Sequence, residues 1–198
     1  MAFTSRKGRQ GVQKDTGYSI DNSLRFNDDD SAYLSRTPGT AGTSETTFTV
    51  STWVKRGDVS ASPQSIWDTA ECTLQFHNDG RMFGNLRGTV SGNLFWYTDA
   101  YFRDTSAWYH IVAGYDGSEL FIYVNGELDD SDPSTGTITT PTTYGPRVGY
   151  AHFTGGSDNY WSGLIDEVKI YNRRLSDAEL LADYNAFLEA KFVNSTIT

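Results

Sequence analysis

The sequence is poor in several residue types, and each shortage excludes a class of protein. Its 198 residues include a single cysteine, Cys72, which excludes a disulfide framework and a cysteine-based metal site. No apolar run approaches the roughly 18 residues that a membrane-spanning helix needs. Lysine and arginine number 16 against 25 acidic residues, giving a net charge of −9. This balance argues against nucleic acid as the main partner, and we expect neither nucleic acid nor a membrane to be bound.

Methionine is also scarce, whereas aromatic residues are abundant. Two methionines stand against 12 tyrosines, 11 phenylalanines and 5 tryptophans. Aromatic side chains favour strands because they pack well on a pleated, half-buried surface. A chain of this length can bury roughly 70% of its unfolded surface, which is enough for one core without covalent cross-links. Length and composition therefore predict one all-β domain.

The first residues carry charge but little hydrophobicity. Their basic side chains are Arg6, Lys7, Arg9 and Lys14, and they precede an acidic remainder. No apolar segment follows them, so a secretory signal peptide is not predicted. We interpret residues 1–22 as an extended N-terminal arm, which either has no binding role or holds a neighbouring subunit.

Short strand candidates separated by turn signals fill residues 23–171. The candidates are Ser23–Phe26, Ala32–Leu34, Thr47–Val54, Gln64–Trp67, Cys72–His77, Arg81–Leu86, Asn93–Tyr97, Arg147–Tyr150 and Gly163–Tyr171. Within 108–128, the turns Asp116-Gly117 and Asn125-Gly126 predict a three-stranded antiparallel meander. The polar stretch 129–143 predicts a long surface loop.

One helix is predicted after the last strand. Ser176 and Glu179 have the spacing of a capping box, in which each side chain satisfies an amide at the helix start. An apolar stripe at helical spacing follows and is expected to pack on the sheets: Leu180, Leu181, Tyr184, Phe187 and Leu188. We interpret residues 191–198 as a C-terminal tail.

Four segments carry a resemblance to a known family. They read SLRFNDDDSAYLS, FTVSTWVKRG, WYHIVAGYDGSELFIYVNGEL and YWSGLIDEVKIYNRRLSDAEL. In this order they resemble a laminin G-like domain of the concanavalin A-like lectin and glucanase superfamily, over about residues 23–190. The resemblance implies a jelly-roll sandwich of two antiparallel sheets with one C-terminal helix. The first segment and the residues before it also resemble virion proteins of tailed bacteriophages.

The superfamily contains glucanases, whose catalytic strand carries two glutamates and an aspartate on one face. The nearest match here, 127–132, lacks the second glutamate and follows a turn into the predicted loop. The three histidines have no serine or cysteine partner pattern, and His110 fits a hydrogen-bonded structural role. We therefore expect a protein without catalytic activity.

The resemblance also implies a possible calcium site, since many laminin G-like domains bind one ion at a sheet rim. Asp28, Asp29 and Asp30 in the early turn and Asp166 on the last strand are the candidate ligands, because calcium takes six to eight oxygen ligands. Strict alternation places Asp166 on the same face as the apolar residues of its strand. A carboxylate there must be paired, hydrogen-bonded or metal-bound. A hydrogen-bonded carboxylate without metal is the alternative.

A sugar site would need exposed aromatic rings beside a few polar groups. Tyr150, Tyr160 and Trp161 lie near predicted loops and are the candidates, although core packing explains single aromatic residues equally well. Two functions remain. One is a virion structural protein, of capsid decoration or tail, held to other virion subunits by the arm, made in the host cytoplasm and displayed on the particle surface. The other is an adhesion module that recognises cell-surface glycans.

Overall fold

The computed structural model describes residues 24–36, 47–59, 63–69, 72–86, 94–133, 145–153 and 157–189. Its strands are β1 (Leu24–Phe26), β2 (Leu34–Ser35), β3 (Phe48–Arg56), β4 (Gln64–Asp68), β5 (Cys72–Phe76), β6 (Arg81–Leu86), β7 (Leu94–Tyr101), β8 (Tyr109–Tyr115), β9 (Glu119–Val124), β10 (Glu127–Pro133), β11 (Arg147–Val148), β12 (Tyr150–Phe153), β13 (Ser157–Tyr160) and β14 (Gly163–Tyr171). One helix, α1 (Asp177–Leu188), follows them.

The strands form two six-stranded antiparallel sheets and one small hairpin. The first sheet has the order β1-β14-β3-β8-β9-β10, and the second has the order β2-β11-β4-β5-β6-β7. The hairpin consists of β12 and β13. This arrangement confirms the predicted jelly-roll sandwich. Residues 129–133 of the predicted loop are instead part of β10, which continues to Pro133 and pairs with β9 across a bulge. The rest of that predicted loop, 134–143, lies outside the described residues.

The two sheets enclose one apolar core. Leu120 and Ile122 of β9 face it, together with Val50 and Val54 of β3, as period-two alternation predicts. Phe121, between the first two, packs instead into a smaller cluster on the outer face of the first sheet. Alternation along these central strands therefore buries both faces of the first sheet, one against the core and the other in the smaller cluster.

A bulge in β14 changes which residues face the core. The pairing of β14 with β3 shifts between Asp166 and Lys169, and Glu167 takes a positive φ of 51°. Ile165 before the bulge and Val168 after it both pack against the core. The predicted strict alternation, which put Asp166 on the face of Val168, is wrong because the bulge interrupts it.

The helix covers the outer face of the first sheet. The side chain of Ser176 accepts from the backbone N–H of Glu179, and the Glu179 carboxylate accepts from the Ser176 backbone, which confirms the capping box. Hydrogen bonds from Arg173 and from Ser176 lower the pKa of Glu179 to about 2. Leu180 and Phe187 of the predicted stripe are buried, whereas Leu181 is 50% exposed. No helix in the described part of the chain is long and apolar enough to cross a membrane.

Candidate functional site

The β12–β13 hairpin has two chemically different faces. Tyr150 pairs with Tyr160, and His152 pairs with Asp158, so these four side chains lie on one face. Ala151, between Tyr150 and His152, points the other way and is fully buried. The hairpin therefore holds its inner face against the sandwich and presents a polar and aromatic outer face.

Three tyrosine rings meet on that outer face. The rings of Tyr150 and Tyr160 stack with their centroids 4.7 Å apart and their planes at 27°. Tyr33, from the segment between β1 and β2, brings its ring to 4.8 Å from Tyr150 and 6.5 Å from Tyr160. Tyr33 is 46% exposed. We refer to Tyr33, Tyr150 and Tyr160 as the tyrosine cluster.

Polar groups lie at the rim of the cluster. The hydroxyl of Tyr150 donates to Asp158 Oδ1 at 2.9 Å, and His152 Nδ1 lies 2.8 Å from the same oxygen. Burial and the hydrogen bond to Asp158 raise the pKa of Tyr150 to about 12. The hydrogen bonds from His152 and Tyr150 lower the pKa of Asp158, which keeps that carboxylate charged.

A cation completes the rim. The guanidinium of Arg147 lies 5.3 Å from the centroid of the Tyr150 ring, which is a cation–π distance. Arg147 also forms an ion pair with the buried Asp68, at 3.2 Å between Nη1 and Oδ2. The ion pair anchors the arginine, so its position beside the ring is set by the second sheet. Stacked rings flanked by a carboxylate, an imidazole and a guanidinium can hold a ligand that has both an apolar face and hydroxyl groups.

Trp161, predicted together with Tyr150 and Tyr160 as a sugar-binding residue, does not join the cluster. It has no exposed surface, and its ring packs 5.6 Å from that of Phe76 in the core. Its backbone N–H donates to the Gly149 carbonyl at 2.9 Å. The prediction is wrong for this residue because Trp161 follows the hairpin directly and its ring fills space between the sheets.

The four predicted calcium ligands are not gathered into one site. Asp29 and Asp30 are exposed in the early turn, and Asp28 is half-buried there. Asp166 is buried, and its Oδ1 accepts from the backbone N–H of Glu167 at 2.9 Å. Among the residues that the structure describes, no group of three or more histidine, cysteine, aspartate or glutamate side chains could hold a metal ion. The donor set does not fit the expected ion as a group, and calcium binding stays a prediction.

Sequence reasoning identified two of the three tyrosines and missed Tyr33. Tyr33 belongs to the predicted strand Ala32–Leu34, and 117 positions separate it from Tyr150. No local spacing signals their contact, because it arises from the approach of the β1–β2 segment to the hairpin. The predicted arm residues Arg6, Lys7, Arg9 and Lys14 lie outside the described residues.

Comparison with known proteins gives the family. A laminin G family model, described as the concanavalin A-like lectin/glucanases superfamily, matches residues 27–181. The chain belongs to this family. A search of curated protein sequences finds no match. The family match covers every described strand except β1, together with the start of the helix, so the tyrosine cluster lies within the laminin G-like domain.

Solved structures share the fold at low sequence identity. A Bacteroides ovatus ATCC 8483 protein, described as a candidate carbohydrate binding protein, is 19% identical with a TM-score of 0.65, covering 80% of this chain and 45% of its own. The binding domain of Paraclostridial Mosquitocidal Protein 1 is 16% identical, with a TM-score of 0.61 and coverages of 84% and 44%.

A third structure is of botulinum neurotoxin type C, whose cell entry is described as dependent on interaction with two ganglioside molecules. It is 12% identical, with a TM-score of 0.52 and coverages of 71% and 36%. The chain therefore spans less than half the length of each of these three proteins. At such identities the likeness establishes the sandwich fold alone.

Proposed function

We propose that this laminin G-like domain is a non-catalytic carbohydrate-binding module, and that the tyrosine cluster is its sugar platform. The observation that carries the proposal is the meeting of three tyrosine rings, one of them 46% exposed, on the outer face of a hairpin. Aromatic rings bind the apolar face of a sugar, while nearby polar groups bind its hydroxyls.

The polar groups at the rim of the cluster are suitable partners for sugar hydroxyls. The carboxylate of Asp158 accepts hydrogen bonds, and the imidazole of His152 can donate or accept depending on its tautomer. The hydroxyl groups of a cell-surface glycan both donate and accept hydrogen bonds, so they can bond to both of these side chains. The descriptions of the Bacteroides and botulinum structures, which concern carbohydrate and ganglioside binding, support a glycan rather than another ligand class.

A glycan array with Tyr33→Ala tests the proposal, because Tyr33 is the most exposed ring of the cluster. We expect binding to fall about fivefold or more, since stacking of one ring contributes about 1 kcal/mol or more. Tyr101→Ala is the matched control, because Tyr101 is a 56% exposed tyrosine on β7 outside the cluster. If no glycan binds, or if both variants bind as the parent does, the tyrosine cluster is not the sugar platform.

Repeating the array with calcium and with a chelator tests the calcium prediction. If Asp166 is a ligand, calcium raises the melting temperature of the parent and not that of Asp166→Ala. Equal rises in both proteins would exclude Asp166 as a ligand. Loss of sugar binding in the chelator would place an ion in the binding mechanism.

A virion role remains a separate proposal, resting on the sequence resemblance and on the arm. Its test is deletion of residues 1–17, after which we expect the domain to fold but not to join a particle. Unchanged incorporation would reject anchoring by Arg6, Lys7, Arg9 and Lys14. The two functions are compatible, because a protein displayed on a particle can also bind a glycan.

A further inference from the structure

Asp158, at the rim of the tyrosine cluster, is an exposed carboxylate with two neighbours on one oxygen. The hydroxyl of Tyr150 donates to Oδ1 at 2.9 Å, and His152 Nδ1 lies 2.8 Å from the same atom. Among the described residues, no hydrogen bond uses Oδ2. The two bonds to Oδ1 lower the pKa of Asp158, so the carboxylate is ionised at neutral pH. An ionised carboxylate has no proton to give and can only accept hydrogen bonds.

This carboxylate decides which nitrogen of His152 carries the proton. Because Oδ1 can only accept, the N–H of the neutral imidazole lies on Nδ1, the nitrogen beside it. The other nitrogen, Nε2, then has a lone pair and no hydrogen, so it is also an acceptor. The rim therefore presents two adjacent acceptors to a ligand, Asp158 Oδ2 and His152 Nε2.

The charges beside the cluster do not cancel. Arg147 is the cation there, but it forms an ion pair with the fully buried Asp68, and its side chain is only 14% exposed. Its charge also acts on Asp158 and lowers the pKa of that carboxylate. One guanidinium thus balances two carboxylates only in part, and one negative charge remains when His152 is neutral. The side chains of Asp158 and His152 are about half exposed, so a ligand meets the negative charge first.

A ligand at this rim must supply the donors that the protein lacks there. Two adjacent hydroxyls of a neutral sugar can donate to Oδ2 and Nε2 while the sugar ring packs on Tyr33. A carboxylate or sulfate group has no proton to donate at neutral pH. It would leave the two acceptors unpaired and would be repelled by Asp158. Unpaired polar groups and like charges are means by which a binding site rejects the wrong ligand.

We propose that the tyrosine cluster is selective for neutral sugars over acidic ones, and that Asp158 and His152 set this selectivity. Asp158 acts through its charge and by accepting from one hydroxyl. His152 accepts from the neighbouring hydroxyl through the nitrogen that Asp158 keeps free of a proton. The inference rests on the proposed function, because it concerns the same site, and it adds the class of sugar.

A glycan array of matched pairs at neutral pH tests this selectivity. Each pair holds an oligomer of glucose, galactose or mannose and an oligomer of the same linkage in which a carboxylate replaces the hydroxymethyl group. We expect the neutral member of a bound pair to bind about tenfold more tightly or better, the usual effect of one hydrogen bond to a charged group. Equal or tighter binding of the acidic members would overturn the inference and leave the proposed function standing. Absence of binding to every glycan would overturn both.

Asp158→Asn removes the charge and keeps the size of the side chain. We expect neutral sugars to bind about tenfold more weakly, and the difference between neutral and acidic members to shrink. Asp104→Asn is the matched control, because Asp104 lies between β7 and β8 and its exposed Oδ1 also accepts two hydrogen bonds, both from Ser106. An unchanged selectivity in Asp158→Asn, or an equal loss in Asp104→Asn, would overturn the role of Asp158.

Nitrogen-15 spectra of the imidazole test the rim without any sugar. The two ring nitrogens of a neutral histidine differ in chemical shift according to which one is protonated, and His152→Gln assigns the signals. We expect the proton on Nδ1 of His152 at a pH where the ring is neutral. A proton on Nε2 would make that nitrogen a donor and would overturn the inference. This measurement therefore separates an error in the rim geometry from a failure of the proposed function.

Discussion

Two sets of stacked aromatic rings in this molecule differ in what covers them. Under the helix, Trp53 lies with its ring centroid 3.8 Å from that of Phe187 and 5.5 Å from that of Tyr184. On the hairpin, Tyr150 lies at similar distances from Tyr33 and Tyr160. Trp53 and Phe187 are almost fully buried, whereas Tyr33 is half exposed. Ring stacking alone therefore does not distinguish a core from a site, and solvent access does.

The polar groups beside the two sets differ in the same way. Under the helix, the hydroxyl of Ser51 donates to Asp183 at 2.7 Å and lies 3.0 Å from Nε2 of the fully buried His110. Lys169 also bonds to Asp183. These groups bond to one another inside the protein, in agreement with the predicted structural role of His110, and only its Nδ1 is without a hydrogen-bond partner among the described residues of this network. At the hairpin, Asp158 and His152 bond to each other but remain about half exposed, so a ligand can reach them.

The largest expected effect is on stability, at the stacked rings under the helix. Phe187→Ala removes a buried ring that stacks on Trp53, and we expect it to lower the free energy of unfolding by about 3–5 kcal/mol. Guanidinium chloride denaturation measures this loss. A loss below about 1 kcal/mol would mean that the helix does not depend on this contact, and the distinction between the two sets would fail.

The next effect concerns the polar network below the helix. Burial acts to raise the pKa of Asp183, but hydrogen bonds with His110, Lys169 and Ser51 outweigh it and hold that pKa well below its ordinary value. A carboxylate with a lowered pKa stabilises the fold above its unfolded pKa of about 4, and the contribution is lost as the pH falls further.

Asp183→Asn should therefore cost about 2–3 kcal/mol at neutral pH, because it leaves Lys169 without its partner on the helix. As the pH falls below about 4, the stability of the variant should also decrease less steeply than that of the parent. Thermal melting across that pH range measures both effects. Asp158→Asn is the control at the hairpin, and an equally large cost there would contradict the comparison.

A smaller effect is expected for ionisation at the hairpin. Asp158→Asn removes one of the two main causes of the raised pKa of Tyr150, so this pKa should fall from about 12 partway towards the ordinary value near 10. Burial remains and keeps it above that value. Carbon-13 tyrosine resonances, assigned with Tyr150→Phe, follow the titration. Because the folded pKa is raised, stability from this group is present below pH 10 and is lost as the pH rises further.

The smallest expected effect is on stability at the exposed ring. Tyr33→Ala should change the free energy of unfolding by less than about 1 kcal/mol, because about half of the side chain is already exposed to solvent. The same variant is expected to bind sugar more weakly, whereas Phe187→Ala should affect sugar binding only through unfolding. A large stability loss in Tyr33→Ala would make the tyrosine cluster a packing feature like the set under the helix.

Local patterns predicted much of the fold. The Asn125-Gly126 turn, with positive φ at both residues, forms the predicted hairpin, and Ser176 caps the predicted helix. The alternation of Leu120 and Phe121 correctly separated the two faces of β9. The bulge at Glu167 escaped prediction, because an extra residue in one strand is defined by its pairing with the neighbouring strand and leaves no periodic signal.

The candidate site was predictable only in part. Tyr150 and Tyr160 stand out as aromatics near turns, but so does Trp161, and only the packing of the sheets separates the exposed rings from the buried one. Tyr33 reaches them across a sequence separation that no short motif spans. For Arg56, the sequence shows an arginine at the end of a strand, and its burial is visible only in the folded chain.

The amino-acid sequence by itself determined the sandwich, its family and the capped helix, because turn chemistry, period-two alternation and capping act between residues close together in the chain. Tertiary structure alone decided which aromatic rings remain open to solvent and which polar side chains are buried. Those properties depend on which segments, distant in the sequence, pack against one another in the folded chain.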